Sequence, residues 1–88
     1  MANHKSAAKR ARQTIRKAAR NHSIRKTIRT VEKKLRQAIS DKKADEAQSL
    51  LREFTSRTGK AAQKGILHQR NVARRVSRLA AQTSGLSK

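Results

Sequence analysis

Large apolar residues in this chain recur at steps of three and four, the spacing of one buried helix face. No run shows the apolar–polar alternation of a strand. The clearest stripe is Ile24, Ile28, Val31, Leu35, Ala38 and Ile39. Upstream it stops. Ile15 is the one large apolar residue between Met1 and Ile24, and it lies roughly two and a half turns before Ile24, on the opposite side of a helix. The pattern predicts a first helix starting near Ser6, a good N-cap residue, and running to about Ser40. Its second half carries the seam of a helix bundle, and its first half projects beyond the core.

The stretch Ser40 to Asp45 (SDKKAD) reads as a turn. Asp41, Asp45 and Glu46 then fall at the start of a second helix, where the helix dipole favours negative charge. That helix carries Ala47, Leu50, Leu51, Phe54, Thr58, Ala61 and Ala62 at three-four spacing. Gly59 lies inside it and marks a bend or a close helix approach. Gly65, followed by Ile66 and Leu67, has the pattern of a left-handed C-terminal cap. A third helix is predicted from about His68 to Gln82, with Val72, Val76, Leu79, Ala80, Thr83 and Leu86 on one face and Gly85 ending it. The fold class is therefore all-α: an antiparallel three-helix bundle with a long, overhanging N-terminal helix. It forms one domain over 1–88, with a basic extension at 1–23, the bundle core at 24–83 and a tail at 84–88.

Charge changes this picture. Residues 1–31, 32–53 and 54–88 carry net charges of +10, +1 and +8, which make up the +19 of the whole chain. All five acids (Glu32, Asp41, Asp45, Glu46, Glu53) lie in the middle segment. Such self-repulsion destabilises a compact free protein, so both ends look built to lie against a dense negative charge. A nucleic-acid backbone is the densest candidate. Ile, Leu, Val and Phe together supply only fifteen of 88 residues, which makes the free fold marginal.

Other classes find no support. There is no cysteine, hence no disulfide and no thiolate metal site. No apolar run is long enough to span a membrane, and the N-terminus lacks the apolar core of a secretory signal. It is Arg-rich and Ala-rich like a transit peptide, but the basic pattern continues far past a removable leader. His4, His22 and His68 make no pair at helical ligand spacing, and neither a nucleophile motif nor a Gly-rich phosphate loop occurs. No catalytic residue, metal or cofactor is expected, nor a small-molecule substrate, a membrane or an obligate homo-oligomer. With one Phe and no Trp or Tyr, the chain has no stacking platform for single strands. The expected target is a folded, largely double-helical surface.

The candidate contacts are cations. On the third helix Arg70, Arg74 and Arg78 repeat every four residues, flanked by Asn71 and Arg75. Their rise of roughly 6 Å per step approaches the phosphate spacing along a strand, and guanidinium suits bidentate phosphate contact. On the first helix Lys5, Lys9, Arg12, Arg16 and Arg20 form a second ridge, with Arg10 and Lys17 on another side. Arg25, Lys26 and Arg29 fall on yet another, and the N-terminal half of that helix reads as basic nearly all round. Such a segment is unstable alone, so residues 2 to about 22 are expected to be unfolded without a partner and helical with one. Asn21, His22, Lys64 and His68 complete the candidate set.

Three stretches carry a family resemblance. The opening MANHKSAAKRARQ, the segment RNHSIRKTIRTVEKKL and, most specifically, KGILHQRNVARRVSRLAAQ resemble the bacterial small-subunit ribosomal protein S-20 family. The last stretch matches at Lys64, Gly65, Ile66, Leu67, His68 and Asn71, then at Ala73, Arg74, Ser77, Arg78 and Leu79. Gln69 departs from the usual Lys or Arg, His4 from a common aliphatic, and Val72 and Val76 from frequently basic or small residues. The resemblance implies a cytoplasmic three-helix protein of the 30S subunit that binds 16S ribosomal RNA directly and early in assembly. It also implies a long helix lying among RNA helices of the 5′ domain and reaching toward the 3′ minor domain. Two other readings of the charge pattern remain: a nucleoid or DNA-coating protein, and a helical module docking on an acidic protein.

Overall fold

The protein is described by a computed structural model over residues 2–86, with side chains from Ser6 onward. Three helices follow in order: α1 (Ala2–Ser40), α2 (Ala44–Gln63) and α3 (Gln69–Leu86). α2 packs against both neighbours, whereas α1 and α3 touch over a short stretch only. The core takes Ile28, Val31, Leu35 and Ala38 from α1, Ala47, Phe54 and Ala61 from α2, Ile66 from the connector and Leu79 from α3. Ile24, Ile39, Leu50, Leu51, Val76 and Leu86 pack half-buried around it. Two threonines join the core because each hydroxyl is satisfied within its own helix. Thr58 Oγ1 donates to the Phe54 carbonyl at 2.7 Å and Thr83 Oγ1 to that of Leu79 at 2.8 Å.

The seam on α1 starts at Ile24, and every residue from Ser6 to Arg20 is exposed. The molecule is correspondingly elongated, 68 × 21 × 13 Å, with a radius of gyration of 17.7 Å. A compact domain of this length has a radius near 12 Å. From Ser6 to Arg20 α1 gives no residue to the core, and the like-charged pairs Arg12–Arg16 and Arg16–Arg20 each destabilise it by about 0.2–0.5 kcal/mol. Circular dichroism of the free protein is therefore expected to show less helix than the 39 residues of α1 require, with the remainder appearing on binding to a polyanionic partner. Full helix content without a partner would contradict this.

Both inter-helix turns use the same device. After α2, Gly65 is left-handed at φ 75°. Its N–H donates to the Ala62 carbonyl at 3.1 Å, and that of Ile66 to the Ala61 carbonyl at 2.9 Å, which is the Schellman arrangement. After α1 the pattern repeats: Lys42 donates to Ile39 at 3.1 Å and Lys43 to Ala38 at 2.9 Å. Here the left-handed position is held by Lys42, at φ 58°. A side chain there costs about 1–2 kcal/mol, partly offset in a glycine by its larger unfolded-state entropy. Lys42→Gly should therefore stabilise the bundle by about 0.5–1 kcal/mol in thermal or denaturant melts.

Several boundaries differ from the expectation. Asp41 belongs to the end of α1, where its carboxylate accepts from the Gln37 amide at 3.1 and 3.2 Å, so only Asp45 and Glu46 occupy the first turn of α2. α1 starts earlier, at Ala2. α3 runs through Gly85 to Leu86, because its apolar face continues to Leu86 against the core and Gly85 merely lacks a side chain. Gly59 is no site of close approach: a Cβ there would meet nothing within 4 Å.

Candidate nucleic-acid interface

The continuous helix sorts the overhang cations more sharply than the ridge reading. At 100° per residue, Lys9, Arg10, Arg12, Arg16, Lys17 and Arg20 occupy one arc of about 160°. The reverse side carries Ala8, Ala11, Ile15, Ala18 and Ala19. Ile15 is 68% exposed there, the one large apolar side chain left in solvent among the described residues. The overhang is thus basic on one side and small and apolar on the other, not basic all round. The Lys5 side chain, first in the ridge, lies outside the described residues.

Arg25, Lys26 and Arg29 come after the overhang, alongside the bundle. Arg25 and Arg29 turn toward α3, where they line a groove with Glu32, Leu67 and Arg75. The groove continues past Glu32, Arg36, Arg75, Arg78 and Gln82. Five guanidinium groups from two helices thus border one trough, with Arg75 shared by its two halves. Arg25 is held in place by donating from Nη2 to the Ile66 carbonyl at 3.0 Å. Glu32, with its side chain only 16% exposed, accepts from Arg36 Nη2 at 3.0 Å and fixes that guanidinium.

The other candidates do not converge on this trough. Arg70 and Arg74 are exposed on α3 away from it, as are Lys26 and His22 on α1. Asn71 is exposed and Asn21 half-buried. His68 caps α3: its Nδ1 accepts from the Arg70 backbone N–H at 3.2 Å, while its carbonyl accepts from Val72 at 3.1 Å. This satisfies an N-terminal donor that the helix cannot pair internally. Lys64 closes the C-terminus of α2, facing Lys17 and Arg20 across a recess. Arg36 and Gln82 escaped the sequence reading. The Glu32–Arg36 spacing is a visible signal for an ion pair, but nothing local shows that the pair borders α3.

The ion pairs Arg36–Glu32, Lys43–Glu46 (3.8 Å) and Arg57–Glu53 (3.1 Å) all use acids of the middle segment. Arg36 is the one trough cation in such a pair, and among the described residues none of the cations picked out from the sequence takes part. Among the described residues no cluster of His and acidic side chains fit for a metal forms, and no helix is long and apolar enough to cross a membrane. The surface can neutralise a polyanion.

Comparison with known proteins agrees in kind. The pattern of the family described as ribosomal protein S20 matches residues 2–84. The small ribosomal subunit protein bS20 of Oleidesulfovibrio alaskensis is 41% identical over 86 residues, covering 98% of this chain and 99% of its own. Its counterpart in Geobacter sulfurreducens is 47% identical over 79 residues, 90% of this chain and 91% of its own. That of Desulforapulum autotrophicum reaches 48% over 79 residues, 90% and 94% of the two chains. With its three helices, its uncompensated cationic ends and a match along nearly its whole length, the chain belongs to the ribosomal protein S20 family.

Proposed function

We propose that this chain is a structural constituent of the small ribosomal subunit that binds 16S ribosomal RNA directly and holds RNA helices together during assembly. It works in the cytoplasm, within the ribosome, and catalyses no reaction. The observation that carries the reading is the overhang. A helical stretch of six cations on one arc, without an acid and exposed along its whole length, suits a phosphate backbone. Arginines and lysines of α1 and α3 supply neutralisation. Recognition runs through the shape of double-helical RNA and its backbone, since no aromatic platform is present to stack bases.

The test is a salt titration of binding to a 16S RNA fragment. About ten phosphate contacts give a log–log slope near −7 to −9, and a nearly flat plot would sink the reading. Competition with duplex DNA separates it from the DNA-coating alternative, which predicts equal preference. Docking on an acidic protein predicts loss of the chain from small subunits washed at high salt.

A further inference from the structure

The α3-side trough leaves the opposite flank of α1 unexplained. On that flank Lys9, Arg12, Arg16 and Arg20 follow at steps of three and four, and Ser23 and Thr27 continue the same line. The line is about 27 Å long at 1.5 Å per residue. It runs off the overhang directly into the cleft between α1 and α2. There Ser23, Ile24 and Thr27 face Arg57, Lys60 and Lys64 across a floor of Ile28 and Ala61. Just before it, Lys17, Arg20 and Ile24 meet Lys64 and Ile66 in the inner corner where α1 passes the end of α2. Ile24 and Lys64 border both recesses, so the two form one surface.

From this geometry we infer that the step between the overhang and α2 seats a single RNA backbone segment, on a surface separate from the α1–α3 trough. The inference rests on the functional reading above and adds Lys60 and Arg57 to the contacts. Charge identifies the occupant. Lys17, Arg20, Lys60 and Lys64 have no acid among the residues lining either recess. Arg57 already gives its Nε–H to Glu53 at 3.1 Å, which ties the guanidinium to the rim of the cleft, and a guanidinium carries further N–H donors beyond that one. The half-buried Ile24 and the Ala61 methyl give the floor an apolar character that suits riboses between flanking phosphates. The overhang arc faces into this corner while its Ala and Ile15 side faces away, so the step is concave and cationic together.

The experiment compares the full-length chain with Lys60→Ala/Lys64→Ala and with Arg75→Ala/Arg78→Ala, by hydroxyl-radical footprinting on 16S RNA and by salt titration. All four side chains are exposed, so unchanged circular dichroism is the folding control. The first variant is expected to lose protection of one RNA segment only, bind about tenfold more weakly and reduce the salt slope by about 2. The second is expected to lose a different segment. An unchanged footprint and slope for Lys60→Ala/Lys64→Ala overturns the inference, and so does loss of every protected segment at once, since the step would then be no separate contact. Failure of the unmodified chain to bind RNA overturns the functional reading itself, which the variants alone cannot do.

Discussion

Phe54→Ala is expected to unfold the bundle at room temperature. Phe54 is fully buried and is the single aromatic side chain in the protein. It lies on α2, the helix that packs on both others, and belongs to the one core cluster that all three helices build. Removing such a ring costs about 3–5 kcal/mol through lost burial and the cavity left behind. Domains of this length have roughly 4–13 kcal/mol in total. Three of the nine buried apolar residues here are alanines (Ala38, Ala47, Ala61), and the net charge is +19, which together place the free protein at the low end. Circular dichroism should show loss of most helical signal for Phe54→Ala. Phe54→Leu should remain folded with a lowered melting temperature. Ile15→Ala, at an exposed position, should leave the melt unchanged. A cooperative transition near that of the unmodified protein for Phe54→Ala would contradict the packing described.

Charge reversal in the α1–α3 trough is expected to have the largest effect on binding. Arg75 borders both halves of the trough and Arg78 borders one, and neither contributes to the core. A hydrogen bond to a charged group contributes about 1.5–3 kcal/mol. Arg75→Glu/Arg78→Glu should therefore weaken binding to a 16S fragment by about 10²–10⁴-fold, while helix content stays within error of the unmodified chain. Arg52→Glu/Lys42→Glu makes the same change in net charge within the balanced middle segment and should cost much less. Equal loss in both double variants would mean that total charge, and not the trough, governs affinity.

Much of the fold was legible because helical periodicity is local. The stripe from Ile24 to Ile39, the three-four pattern of α2 and the Gly65 cap each depend on residues within a turn or two of one another. Segregation of the acids into the middle segment was equally visible, and with it the expectation of a polyanionic partner. Misreadings came where a rule of thumb met tertiary support at Gly85 and a competing local hydrogen bond at Asp41. Gly85 ends no helix because Leu86 still has a core to pack on. Asp41, a plausible N-terminal charge, is taken by Gln37 at the end of α1.

The sequence by itself determined the helices, the overhang and the segregation of charge along the chain. Composition and spacing decide these wherever the chain is placed in space. Only the tertiary structure decided how the cations divide. Arg25 reaches the Ile66 carbonyl across 41 positions of sequence, Arg29 and Arg75 meet at one trough, and Lys17, Arg20 and Lys64 meet at another corner. A helix wheel shows which side chains share a face. Which neighbour that face meets is set by how α2 packs on the seam of α1 and by the two left-handed residues, Lys42 and Gly65, that return the chain.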